Sequence, residues 1–279
     1  MNLTLKLCVL ALLLASIAAS IRLAAAQVLQ TVPAAVAARH PWQAITPHLA
    51  TGAWFTNLED GAKIQTPYLA TFGLDDGWGL APIASPVAGK SGHHHLLINR
   101  DLPLDFKKVL PFNEQHVHFG KGQMESLLTM APGEYTLRLL FADDQHLPRF
   151  VYSKAIKITV TKNNKDVDPK SLIKPGLRFI KLPADNKVAK IFNVQFHASG
   201  LNVGHQSQQV KGTGHFRLTV APQDGSKPAV LDFPNGQTGT WLVPPVGAYT
   251  LKLDFVDNIN PDKFLVPTAV AAVEVSQAR

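Results

Sequence analysis

Cysteine is all but missing from this 279-residue chain: the single one, Cys8, falls in an N-terminal stretch expected to be cut away. Its loss excludes a disulfide framework and any thiolate metal site in what remains. The usual catalytic signatures are missing as well. There is no H-E-x-x-H, no G-x-S-x-G elbow and no EF-hand loop, and Gly89-Lys90-Ser91 lacks the leading glycine of a phosphate loop, with Ala84 in its place. No nucleophile is evident. Long amphipathic helical patterns are lacking, and so is a basic stripe. Lys and Arg number 27 against 20 Asp and Glu, for a formal net charge of +7, but they are scattered, with Lys162 to Lys174 the densest and most loop-like stretch. This distribution gives no support to nucleic-acid binding.

No apolar run reaches the roughly 20 residues of a membrane span. The longest, Leu7 to Ile21, has 15 residues, follows the positive Lys6 and precedes the small-residue site Ala24-Ala25-Ala26. This is the pattern of a secretory signal peptide over 1–26, cleaved before Gln27. The mature chain of 253 residues would keep 25 basic and 20 acidic side chains and no transmembrane span. A periplasmic or secreted location is expected.

What is present is a duplication. Gly122 to Asp143, containing Pro132-Gly133-Glu134-Tyr135-Thr136-Leu137, returns as Gly236 to Asp257, containing Val246-Gly247-Ala248-Tyr249-Thr250-Leu251, at a constant offset of 114. Gly92-His93-His94-His95-Leu96-Leu97-Ile98 answers to Gly214-His215-Phe216-Arg217-Leu218-Thr219-Val220. Shared positions report what the fold needs, and differing ones are where a special role could sit. The hydrophobic period is two: Tyr135, Leu137, Leu139 and Phe141 alternate with Thr136 and Arg138, and Tyr249, Leu251, Leu253 and Phe255 do the same. About seven such runs per copy, near residues 53, 69, 94, 117, 125, 137 and 156 in the first, are spaced as in β-sandwiches. The fold class is therefore all-β, two tandem immunoglobulin-like antiparallel β-sandwiches. A lead-in spans 27–47, with an Ala-rich piece, Pro33 to Arg39, fit for a short helix. Repeat one covers 48–161, a polar linker 162–175, and repeat two 176–279, each repeat large enough for its own apolar core.

Histidines distinguish the copies. His93, His94, His95, His116, His118 and His146 lie in the first, and in the second only His215 answers to His93; Phe216, Arg217, Val230, Asp232 and, across a small gap, Asn260 stand at the other positions. Alternation turns His94 inward with Leu96 and Ile98, leaves His93 and His95 on the outer face, and places His116 and His118 together opposite the core residues Val117 and Phe119. Each H-x-H pair presents two imidazoles roughly 6 to 7 Å apart along its strand. If the strands approach one another, His93, His95, His116 and His118 form an imidazole-only metal site suited to a copper or zinc ion. His94, His146 and Glu125 are adjacent candidate ligands. The plainer alternative is that His93 and His215 tie loops to backbone carbonyls and the others are solvated or satisfied core residues. Glu125, whose counterpart is Gly239, reads as a base, a ligand or simply an exposed strand residue. Asp143 and Asp257, each directly after a strand, read as turn formers. Met124 and Met130 read as core fillers.

Several ordered segments of the first copy carry a family resemblance: Phe55-Thr-Asn-Leu-Glu-Asp-Gly-Ala-Lys-Ile-Gln-Thr-Pro67, Phe72-Gly-Leu74, Gly92-His-His-His-Leu-Leu-Ile-Asn99, His116-Val-His-Phe-Gly-Lys-Gly-Gln-Met-Glu125 and Pro132-Gly-Glu-Tyr-Thr-Leu137. Together they resemble the DUF4399 family, a domain of unknown function in exported bacterial proteins. Copy two resembles a diverged member. Met124 departs from the family's usual threonine. The resemblance implies a β-rich periplasmic or secreted protein and adds weight to a histidine-based site including the loop of His146, but it carries no activity with it. Three functions compete: a non-enzymatic binding protein holding a divalent transition metal, an envelope adaptor with a protein partner and no metal, and a metal-dependent enzyme using the same histidines with Glu125.

Overall fold

A computed structural model describes residues 39–44, 52–75, 77–81, 91–103 and 105–277. The expected signal peptide with Cys8, and the Ala-rich part of the lead-in up to residue 38, lie outside the described residues. Nearly everything described belongs to one compact unit, His40–Arg279.

The first repeat contributes β1 (Ala53–Phe55), β2 (Ala62–Thr66), β3 (Tyr68–Leu74), β4 (Gly79–Leu80), β5 (Ser91–Ile98), β6 (His116–His118), β7 (Glu125–Leu128), β8 (Gly133–Ala142), β9 (Pro148–Tyr152) and β10 (Ile156–Asn163). A 3-10 turn, Pro169–Leu172, leads to the second repeat: β11 (Gly176–Ile180), β12 (Lys187–Ala189), β13 (Phe192–Ser199), β14 (Asn202–Val203), β15 (Thr213–Pro222), β16 (Ala229–Phe233), β17 (Gly239–Leu242), β18 (Gly247–Asp257) and β19 (Ala269–Ser276). Each repeat is two sheets. The first has β1-β3-β7 facing β2-β10-β8-β5-β4, with β6 beside β5 and β9 beside β8. The second has β11-β13-β17 facing β12-β19-β18-β15-β14, with β16 beside β15. The fold is all-β, as the alternation implies. The Tyr135 hydroxyl donates to the Ala131 carbonyl at 2.9 Å and the Tyr249 hydroxyl to Pro245 at 2.8 Å, the tyrosine corner of immunoglobulin-like sandwiches.

Two details differ from the expectation. The sheets are not purely antiparallel: β2 runs parallel to β10, β12 to β19, β4 to β5 and β14 to β15. These short strands follow passages between sheets rather than hairpins, so nothing forces antiparallel pairing on them. The second detail concerns the cores. Phe72, Leu96, Phe119, Leu137, Leu139 and Val160 fill the first sandwich, but the core of the second also takes in Leu74, Leu80, Met124, Phe141 and Val151 of the first.

The junction is quasi-symmetric. The Leu80 amide donates to the Gly236 carbonyl at 2.9 Å, and Val203, which stands on the strand equivalent to β4, donates to the Gly122 carbonyl at 3.0 Å. Gly122 and Gly236 are equivalents, with φ of 81° and 72°; a Cβ on either would lie 2.0 or 2.1 Å from the facing carbonyl oxygen. Only glycine permits this approach. The lead-in also fastens to the second repeat: Val243 donates to the Trp42 carbonyl, Ala44 to that of Trp241, and the Trp42 ring sits edge-on to Tyr249.

Candidate metal centre

Strand β5 is buried on both faces. Its inward residue His94 lies between Phe72 and Phe141, ring centroids 5.5 and 5.6 Å away, and neither ring nitrogen has a hydrogen-bond partner. Its outward residues, His93 and His95, are also fully buried, because the segment between β5 and β6 folds back over them. Leu110, Leu102 and Phe106 of that segment pack on Leu97, Leu140 and Ala142, and the Leu110 amide donates to the His146 carbonyl.

Register brings the remaining rings in. His95 stands opposite His118 on β6, and His93 opposite Ala142, the last residue of β8. The turn after β8 carries His146 in the left-handed region, φ 59°. Asp143 shapes this turn as an Asx-type former: one carboxylate oxygen accepts from the Gln145 and Leu147 amides, the other from Arg149. His93, His95, His118 and His146 converge, with ring centroids 4.6 Å apart for His93 and His118 and 5.0 Å for His118 and His146.

One nitrogen from each of His93, His95 and His118 lies within 4.8 Å of the others. Nε2 of His93 is 2.9 Å from Nε2 of His95, and Nε2 of His118 is 3.2 Å from Nε2 of His146. A tetrahedral ion with bonds of about 2.0–2.1 Å would hold its nitrogens about 3.3 Å apart. The rings therefore present their nitrogens at close to ligand spacing. Burial is the first cause pushing His93 down to about 2 and His95 to about 3, with the neighbouring imidazoles adding to it; burial alone pushes His94 to about 3. Burial, then the His146 ring, lowers His118; burial lowers His146 against the opposing pull of Asp143. All are neutral at pH 7, the form that binds metal. The Nδ1 atoms of His93 and His95 have no partner, whereas their Nε2 atoms face one another and the cluster.

Two candidates lie elsewhere. His116 shares a strand with His118 but not its cluster: its Nδ1 is paired with Asn113 Oδ1 at 3.1 Å, at the turn that begins β6. Glu125 is not an exposed strand residue. It is buried in the smaller sheet and bound to the second repeat, accepting from Ser199 Oγ at 3.1 Å and the Gly200 amide at 2.8 Å, with His197 Nε2 at 3.3 Å. Burial raises its carboxyl, but the hydrogen bonds outweigh this and hold it below the usual range. His146, an adjacent candidate in the sequence, stands in the cluster itself, its ring 5.0 Å from those of both His93 and His118. The sequence reading missed Phe112, whose exposed ring caps His118 and His146 at 5.1 and 4.7 Å. A signal was available: the offset between copies is 122 at His93 but 114 from Val117 onward, so the first copy has eight extra residues between its two histidine strands.

The geometry defines a class, a tandem pair of immunoglobulin-like sandwiches with an imidazole cluster in one member. The chain belongs to the DUF4399 family, described as a domain of unknown function, whose model matches twice, at residues 70–161 and 194–276. Among solved structures it is similar to fibronectin(III)-like modules of Clostridium thermocellum CbhA, at 10% identity over 81% of this chain and 94% of that one, TM-score 0.27. It is also similar to a two-domain fibronectin type-III segment of chicken tenascin, at 13% identity over 80% and 97%, TM-score 0.23. No curated protein matches it.

Proposed function

We propose that the first repeat is a binding module for a divalent transition metal, held by Nε2 of His93, His95 and His118 with His146 as a fourth ligand. The observation that carries this is the convergence of three neutral imidazoles, two buried and one half-buried, whose nitrogens lie within 4.8 Å and whose Nε2 atoms have other imidazoles as their partners. A donor set of imidazoles without sulfur suits Cu(II) and Zn(II). His93 and His95 provide the fixed, dry half of the site. His118 and His146 provide the half reached from solvent. His116 and Glu125 drop out of the ligand set on their separate partners, so the set differs from the one spacing suggests.

The N-terminal pattern around Lys6, Leu7–Ile21 and Ala24–Ala26 supports export to the periplasm or beyond. Among the described residues, no helix is long and apolar enough to cross a membrane. The second repeat, joined through a shared core, serves as scaffold. Calorimetric titration of the processed protein with Cu(II) and Zn(II) tests the reading: His118→Ala removes binding and His116→Ala leaves it. Equal affinities in both variants and the wild type would reject the site and favour an adaptor that docks an envelope protein.

A further inference from the structure

The cluster has ligands but no counter-charge. His93, His95, His118 and His146 are all neutral donors, so a divalent ion among them would keep two positive charges in a largely dry site. Uncompensated charge in such a site is strongly disfavoured. The carboxylates of the protein do not supply the balance. Among the described residues the one acid whose field reaches the cluster is Asp143, through His146. Its charge is already committed, to Arg149 on one oxygen and two backbone amides on the other. Glu125 is engaged by the second repeat. Cations add to the imbalance: Arg149 flanks the turn of His146, and Arg100 lies close enough to act on His116.

The cluster has one solvent-facing side. His118 and His146 are half-buried, and the ring across their edges belongs to Phe112, which is 61% exposed. Displacing that ring opens the ion to solvent without disturbing His93 or His95, whose sheet face stays packed under Leu110.

We propose that the metal in this site is completed by a small anion taken from solution, seated at the His118–His146 edge beneath Phe112, so that the module binds metal and anion as a linked pair. This rests on the metal-binding reading above. Anion and metal then strengthen each other's binding reciprocally.

The test uses the processed full chain at pH 7 in a perchlorate medium, with azide as the probe anion and affinities corrected for azide on free copper. Azide at about ten times its own dissociation constant is expected to raise the apparent Cu(II) affinity about tenfold, and an azide-to-copper charge-transfer band appears. His118→Glu places a carboxylate where the second repeat carries Asp232, so that the chain itself supplies the negative charge; the azide enhancement of whatever Cu(II) binding this variant shows is expected to fall well below the wild-type value. Cu(II) binding that is unchanged by azide, with no new band, overturns the anion partner and leaves the metal site standing. Absence of Cu(II) and Zn(II) binding with and without azide overturns both. The wild-type titrations decide the matter even if the variant does not fold.

Discussion

At one register position the two repeats answer the same structural question differently. In the first, His95 on β5 stands opposite His118 on β6; in the second, Arg217 on β15 stands opposite Asp232 on β16, joined by hydrogen bonds of 2.6 and 3.2 Å. The second pair satisfies itself and needs no third party. The first pair, with His93 added, turns ring nitrogens toward one another in a largely dry space, with imidazoles as their only partners there among the described residues. At the neighbouring inward position, His94 between Phe72 and Phe141 is matched by Phe216 between Phe196 and Phe255. There the second repeat has the ordinary core solution and the first has two unpartnered nitrogens. A fold duplicated within one chain thus supplies its own control. The scaffold tolerates closed pairs and apolar rings at these places, so the histidines are not there to hold the sandwich together.

The largest consequence is acid lability of the metal-free protein. His93, His94 and His95 sit near 2 to 3 when folded and near 6.5 when unfolded, so the unfolded chain takes up protons that the folded one refuses. Stability is full above pH 6.5 and falls as the pH drops from there toward 3, by up to about 4 kcal/mol per pH unit for three such groups. Urea midpoints measured between pH 7 and 5 should show the decline. His94→Phe, the second repeat's own solution, removes about a third of the slope and raises stability at pH 7 by about 1–3 kcal/mol, because two unpaired buried nitrogens disappear. A variant as acid-sensitive as wild type would mean that His94 is not the desolvated group described.

Next in size is metal affinity. Truncating a direct ligand should cost more than the tenfold to hundredfold typical of supporting residues, so His93→Ala is expected to weaken Cu(II) by at least about a hundredfold, read by competition against a chelator. His116→Ala should change it by less than about threefold. A reversed ranking would return His116 to the site and dissolve the contrast with Val230 in the second repeat.

The junction offers a smaller break. Gly122→Ala and Gly236→Ala each push a Cβ against a carbonyl across the repeats and strain a positive φ. Each should destabilise by about 1–3 kcal/mol, and thermal unfolding should stay a single transition because Leu74, Leu80, Met124, Phe141 and Val151 of the first repeat pack into the core of the second. Two separated transitions in either variant would show that the repeats unfold independently.

How much of this was readable from the chain divides along physical lines. Period-two runs located β3, β5, β8 and β10 and their facing, because one side of each strand must be apolar whatever else happens. The strands that escaped, β2, β4 and β9, are short, and β4 and β9 owe their pairing to neighbours rather than to a pattern of their own. Within the candidate site, the inward setting of His94 and the shared outer face of His93 and His95 followed from alternation. His116 did not follow, because alternation assigns a face but not a rotamer, and Asn113 in the preceding turn takes its ring. The burial of His93 and His95 was invisible to any strand rule: it comes from the 99–115 segment, whose placement depends on Leu110 and Phe106 finding Leu97 and Leu140. Glu125 was misread for a similar reason, since its partners are in the other repeat.

The smallest effect on stability, and the sharpest test of the comparison, comes from making the first repeat answer as the second does. His95→Arg with His118→Asp installs the ion pair at a register that already holds one in β15 and β16. Arg217 and Asp232 are only partly buried, and a pair of that kind contributes about 0–1 kcal/mol. The pocket over β5 is drier, so the graft gains somewhat in Coulomb attraction and loses about as much in desolvation. The melting temperature should therefore move by only a few degrees while Cu(II) binding disappears. Loss of metal with stability kept would separate function from scaffold at these two positions. Collapse of the fold would show instead that the 99–115 segment closes only over imidazoles, which would make the histidines part of the architecture after all.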